Sequence, residues 1–215
     1  MLEAVGLVKR FHGVAAVSHV SFCVRPGEVV GYLGPNGSGK STTTKLLTGL
    51  LEPDEGFVRL DRQDIADNPI SYRRRLGYVP EEPQLYAFQS PTEYLELIAN
   101  LRELPRQTYA GRTAAMLELF GLSQAADQAM STFSKGMKQK VMIIAALLHN
   151  PDVVILDEPD SGLDTTATLV LRHLLGELAK RGKCVLYSSH VLDLVEKSCS
   201  RVILLDRGRI VADGT

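Results

Sequence analysis

Long apolar runs are what this 215-residue chain most lacks. The longest unbroken one, Val141 to Leu148, falls far short of the ~18 residues that a membrane-spanning helix needs. If the chain serves a membrane, another chain has to cross it. Cysteine is scarce as well. Cys23, Cys184 and Cys199 lie far apart with no C-x-x-C pair, which argues against a metal cluster and for reduced thiols in a cytosolic setting. Charge of one sign is also missing. With 24 Lys plus Arg against 25 Asp plus Glu the net charge is -1, so no field of its own would hold nucleic acid or an anionic membrane. On that balance Arg73-Arg74-Arg75 and the trio Lys135, Lys138, Lys140 read as solvated faces. Met1-Leu2-Glu3-Ala4 runs straight into a strand-like segment, without the pattern of a signal peptide.

A hydrophobic share of 45% is enough for a real core. The first stretch reads as short strands at Leu2 to Leu7, Val17 to Val24 and Gly56 to Leu60. Between them Glu28 to Leu33 hardly alternates, the mark of a strand buried on both faces. A helix should start near Lys40 and end before Pro53, with Leu46, Leu47 and Leu50 on its inner side. From about 82 to 150 the pattern turns helical. Ser90-Pro91-Thr92-Glu93 is a capping box with an N1 proline, opening a helix that carries Tyr94, Leu95, Ile98 and Leu101. Arg112 to Phe120, stopped by Gly121, is a second helix, and a third starts after Ser134 and stops at Asn150-Pro151. Strand and helix then alternate: Val153 to Leu156, Thr166 to Arg181, Cys184 to Tyr187, Val191 to Lys197, Val202 to Leu205, and Arg209 to Ala212 after a turn at Gly208. That alternation implies a parallel sheet with helices on its faces. The helical middle reads as an insertion between two halves of one core, 1–81 and 151–215.

The strongest chemical signal is Gly34-Pro35-Asn36-Gly37-Ser38-Gly39-Lys40-Ser41, the full G-x-x-x-x-G-K-[ST] pattern between a buried strand and a helix. Its glycines let successive N–H groups point into one concavity, and the helix N-terminus adds partial positive charge. Lys40 is placed to reach the β- and γ-phosphates of a nucleotide and the Ser41 hydroxyl to ligate Mg²⁺. Thr42 belongs to the same phosphate-facing turn. Asp157, ending the strand-like run from Val153, is the expected partner of that metal. Glu158, one residue on and pointing elsewhere, is positioned to polarise the water that attacks the γ-phosphate.

Those two motifs describe a P-loop NTPase. The stretch Phe133-Ser134-Lys135-Gly136-Met137-Lys138-Gln139-Lys140 resembles the signature of ABC ATPases, with Ser134 and Gly136 matching and Phe133, Lys135 and Met137 departing. Glu158-Pro159-Asp160-Ser161-Gly162-Leu163-Asp164 is similar to the family's run from the catalytic glutamate into the D-loop, with Asp160 where Thr is usual. His190 stands at the switch-histidine position, and Phe11 matches the aromatic that stacks on adenine. Glu81 stands where most relatives carry the Q-loop Gln. Together with the Ser134-Lys135-Gly136-Met137 turn, it resembles the multidrug, antibiotic and sodium exporters with separate ATPase and permease chains.

The resemblance spans essentially the whole chain. It implies an α/β fold: a RecA-like P-loop core with an antiparallel β-subdomain and an inserted α-helical subdomain, all within one domain, 1–215. It implies two such domains facing head to tail, each ATP held by Lys40 and Ser41 of one and by Ser134 and Gly136 of the other. Glu158 and His190 would support hydrolysis, with Glu81 joining Ser41 and Asp157 at Mg²⁺. The implied partners are a transmembrane permease on a separate chain and a second ATP-binding subunit, identical or not. The chain would sit in the cytoplasm against the inner face of the cell membrane. The rival reading is a non-transport ABC ATPase acting as an assembly or mechanical factor.

Overall fold

The computed structural model describes residues 1–215, apart from the side chains of Asp193 and Leu194. The chain opens with an antiparallel pair, β1 (Leu2–Phe11) and β2 (Val14–Val24). Their two-residue loop, His12-Gly13, has positive φ at both positions (49° and 82°), the conformation that matches the twist of flanking strands. This hairpin carries both strands beyond the segments read from sequence. The central strand β3 (Val29–Leu33) follows, and then α1 (Lys40–Leu47). Next come β4 (Glu55–Leu60) and the two-residue β5 (Gln63–Asp64). The antiparallel sheet has the order β2-β1-β4-β5.

A short helix, α2 (Pro69–Arg75), leads into β6 (Leu76–Val79). Three helices then intervene: α3 (Pro91–Leu101), α4 (Arg106–Leu119) and α5 (Lys135–Leu147). The chain re-enters the sheet at β7 (Val153–Asp157), crosses through α6 (Thr165–Lys180) to β8 (Cys184–Ser189), and through α7 (Leu192–Glu196) to β9 (Arg201–Asp206) and β10 (Arg209–Gly214). The main sheet has the order β10-β9-β3-β8-β7-β6, parallel except for β10, which pairs antiparallel with β9.

Every residue of β3, β7 and β8 is buried, which is why their sequences run apolar without alternation. Successive side chains still point to opposite faces, and each face feeds its own core. Val29, Leu33, Val154, Leu156, Val185 and Tyr187 pack with the inserted helices and α6. Val30, Tyr32, Val153, Ile155, Cys184 and Leu186 pack with α1 and the antiparallel sheet. β6 and β7 are neighbours in the sheet, so the three inserted helices leave and return at one edge. They approach closely: a Cβ on Gly77 of β6 would lie 2.3 Å from the Ala146 carbonyl oxygen of α5.

Several expectations need correction. α1 ends at Leu47, and Gly49 turns the chain with φ of 68°, so Leu50 is 64% exposed rather than inward. Leu101 at the end of α3 is also exposed. α4 starts at Arg106, before Arg112, because Pro105 fixes its entry while its first turns are polar and show no apolar stripe. The basic runs are not simply solvated. Arg75 spans Asp152 (2.7 Å) and Asp61 (2.6 Å), Arg74 pairs with Glu103 and Lys140 pairs with Asp164 at 2.7 Å. Among the described residues no helix is long and apolar enough to cross a membrane.

Candidate active site

The loop from Gly34 to Gly39 joins the end of β3 to α1, in the middle of the parallel sheet. Gly39 is the N-cap of α1, in a left-handed conformation (φ 105°) and without a side-chain cap bond. A side chain there is barred twice, since a Cβ would also lie 2.4 Å from the Ala16 carbonyl oxygen. The first amides of α1 are therefore left for a ligand, with the dipole adding to their pull on an anion. Lys40 folds back over the loop and is only 5% exposed. Its ammonium donates to the Gly34 carbonyl (2.7 Å) and the Pro35 carbonyl (3.3 Å) and stands 3.4 Å from Glu158 Oε1. A cavity of about 280 Å³ opens here, lined by Ala16, Asn36, Gly37, Gly39, Lys40, Ser41, Thr42, Glu81 and Glu158. The Ser38 hydroxyl in the same loop is buried without a partner.

The end of β7 lies against α1. Asp157 is 1% exposed and held from two sides: Ser188 Oγ donates to Oδ1 at 2.5 Å and Thr44 Oγ1 to Oδ2 at 3.0 Å. Asp157 and Ser188 are paired across β7 and β8, and Thr44 lies one turn along α1 from Lys40. Glu158 diverges from Asp157 because its backbone is left-handed, φ 48°. Its amide donates to Ser188 Oγ (3.1 Å) and Ser188 O (3.2 Å). One carboxylate oxygen faces Lys40 and the other bonds His190 Nδ1. Lys40, Glu158 and His190 thus form one chain of contacts, of which Lys40 and Glu158 line the cavity. Burial pushes the neighbouring Tyr78 phenol up to about 12, and the charges of Asp157 and Glu81 add to that.

Ser134 and Gly136 lie elsewhere, and so does Phe11; none of the three lines this cavity. Ser134 is exposed and caps α5 by accepting from the Met137 amide (3.2 Å), while Phe133 is buried as the usual Leu would be. Gly136 abuts the turn after Glu158: a Cβ there would sit 2.1 Å from the Gly162 carbonyl oxygen. Lys135 reaches Glu82 at 3.1 Å, beside Glu81. Phe11, ending β1, is 46% exposed, so its ring is free to stack on a flat ligand. Sequence reasoning missed Thr44 and Ser188, the two hydroxyls that fix Asp157. Thr44 sits at helical spacing from Lys40 and Ser188 two residues before His190, spacings that could have marked them.

A family model described as ABC transporter matches residues 17–161. An uncharacterized ABC transporter ATP-binding protein of Nostoc sp. is 40% identical over 94% of this chain, which spans 60% of that relative's length. The linearmycin resistance ATP-binding protein LnrL of Bacillus subtilis is 34% identical over the whole chain, which spans 69% of it. A solved structure described as the ATP binding subunit of an ABC transporter superposes with a TM-score of 0.95 at 38% identity. That match covers 100% of this chain and 90% of the other.

Proposed function

This chain belongs to the ABC transporter family, and we propose that it binds and hydrolyses ATP to power a permease carried on a separate chain, in the direction of export. In this reading the phosphates of ATP enter the cavity at the head of α1. They take over the ammonium of Lys40 from the Gly34 and Pro35 carbonyls, and they bond the amides of the loop together with those of Lys40, Ser41 and Thr42. Phe11 stacks on the adenine. Once Lys40 turns to phosphate, the Glu158 carboxylate no longer faces a cation and is left to accept a proton from water. His190, bonded to its other oxygen, keeps that carboxylate aimed. No covalent intermediate is needed; the work is positioning and charge stabilisation.

The donor set near the head of α1 suits a small hard cation. The Ser41 hydroxyl and the Asp157 and Glu81 carboxylates offer oxygen only. Each Asp157 oxygen uses one lone pair on Thr44 or Ser188 and keeps another. These three residues would hold Mg²⁺, which supplies neutralising charge to the phosphate oxygens when bound.

The direction of transport rests on Glu81, on the Ser134-Lys135-Gly136-Met137 turn, and on LnrL, whose name assigns it to linearmycin resistance. A permease contact is supported by the exposed apolar side chains where the inserted helices meet the core. Tyr86 and Phe88 lie in the segment between β6 and α3, with Leu50 and Leu101 also exposed.

The observation that carries the catalytic reading is that Lys40 and Glu158 line one cavity and face each other there, with His190 bonded to the other Glu158 oxygen. ATP titration and phosphate release test it in Glu158→Gln. ATP affinity should stay within about twofold while turnover falls by roughly 100-fold or more. Substantial turnover in that variant removes Glu158 from the water-activating role.

A further inference from the structure

Asp160 stands where the family usually carries Thr, and in this chain it has a partner. Its carboxyl accepts a hydrogen bond from the hydroxyl of Tyr187 on β8. Tyr187 is 1% exposed, with its ring packed in the core beneath the inserted helices. That ring cannot swing away, so its hydroxyl is a fixed point. The next residue along β8, Ser188, points to the opposite face. It takes Asp157 Oδ1 and the amide of Glu158. One strand therefore grips the segment 157–160 from both faces.

The grip meets a demand set by the turn itself. Glu158 is a non-glycine residue at φ 48°, a conformation held only when the surroundings impose it. Pro159 follows, crowding the residue before it and offering no N–H of its own. Two backbone bonds close the turn, Ser161 N to Glu158 O at 3.1 Å and Leu163 N to Asp160 O at 2.9 Å. Neither ties it to the sheet. The Tyr187 hydroxyl does, on the far side of the strained residue from Ser188. Burial also lifts the Asp160 carboxyl above the ordinary range, against the pull of the Tyr187 bond. Asp160 is half-buried, with its carboxyl committed to this contact.

We propose that Asp160 and Tyr187 form a positioning pair that holds the left-handed backbone of Glu158 and so aims its carboxylate between Lys40 and His190. Neither residue of the pair lines the cavity at the head of α1. It rests on the reading of Glu158 as the water-activating carboxylate, and it assigns to Asp160 a task that Thr, with a shorter side chain, cannot perform from the same position.

The test is steady-state ATP hydrolysis by the full chain, alongside ATP titration and thermal melting. Tyr187→Phe removes one hydroxyl and keeps the packing, and Asp160→Ala removes the acceptor. Each should lower kcat roughly tenfold, the scale expected for a misaimed catalytic group, with KM for ATP within about twofold. Asp160→Asn keeps an acceptor oxygen and should restore kcat to within about threefold of the parent. The double variant Asp160→Ala/Tyr187→Phe should be no slower than either single, because both break one contact. If Tyr187→Phe does not fold, the contrast between Asp160→Asn and Asp160→Ala decides alone. Parent-like kcat in Tyr187→Phe, losses that multiply in the double variant, or a loss carried only by KM overturns the proposal. Glu158→Gln is the separate control. Turnover retained there defeats the water-activating reading, whereas an inactive Glu158→Gln beside a fully active Tyr187→Phe defeats only the pair.

Discussion

Two helices of this molecule begin with a turn suited to phosphate, and they are built in opposite ways. α1 begins inside the protein: its cap residue is a glycine without a side-chain bond, Lys40 is buried, and a cavity with two carboxylates faces its first amides. α5 begins at the surface: Ser134 is exposed and spends its hydroxyl on its own helix, and Ser134 and Gly136 line no part of that cavity. The tail of α5, by contrast, is clamped to the core, since His149 Nε2–H donates to the Leu76 carbonyl at 3.0 Å. One head is finished within the chain. The other lines no part of that cavity, and a second copy that brings its own α1 head against it is what the resemblance to ABC ATPases implies.

The largest effect should come from breaking the finished head. Lys40→Ala removes the buried ammonium at the head of α1 and leaves Glu158 to repel the incoming phosphates. ATP affinity should fall by about 3 kcal/mol, roughly 100-fold, the scale of truncating one member of a buried charge pair. Equilibrium titration with a fluorescent ATP analogue measures it, and an affinity within a few-fold of the parent would show the head to be less self-sufficient than its geometry implies.

A smaller effect concerns Glu81. Glu81 lines the cavity with Ser41 and Glu158 and brings a charge where a Gln would bring a neutral carbonyl. Its charge strengthens a hard-cation site and adds repulsion to phosphate when the cation is absent. ATP affinity with Mg²⁺ relative to EDTA should therefore shrink in Glu81→Gln by about 1 kcal/mol, as for a partly solvated charge pair. An unchanged ratio would place Glu81 outside the reach of the metal.

The last effect is on stability rather than on ATP binding, and it concerns the clamped tail of α5. Burial, with Arg102 nearby, holds the His149 imidazole down to about 4. The unfolded chain takes up that proton near 6.5. As pH falls from about 6.5 toward 4 the unfolded state binds a proton that the folded state refuses, and stability declines. Above that window the ring is neutral in both states and contributes no slope. Urea midpoints against pH should show a shallower acid decline in His149→Gln than in the parent, and equal slopes would remove His149 from the account.

The finished head was legible in sequence because its chemistry is local. The glycines, Lys40 and Ser41 are consecutive, and the flanking strand is apolar on both faces. The capping box of α3 was legible for the same reason: Ser90 and Glu93 bond each other three residues apart. What stayed hidden depends on pairing across the fold. Thr44 and Ser188 meet at Asp157 from different elements, and Tyr187 meets Asp160 from a neighbouring strand, with no local pattern to announce either. α2 and β6 were missed although Asn68-Pro69 is a helix-start signal, with the Asn68 side chain accepting from the Ser71 amide. Both elements are too short for periodicity to show. Leu50 was placed inward because the apolar spacing ran on past Gly49, where the backbone had already turned.

The claim that ties the two heads together is that ATP is held between the α1 head of one copy and the α5 head of another. Light scattering on Glu158→Gln protein at tens of micromolar tests it most directly. The account predicts a monomer without nucleotide and a dimer with ATP and Mg²⁺. It also predicts a monomer in both conditions for Glu158→Gln/Ser134→Arg, whose monomeric ATP affinity should be unchanged. A Glu158→Gln protein that binds ATP yet stays monomeric, or a dimer that survives Ser134→Arg, would contradict it.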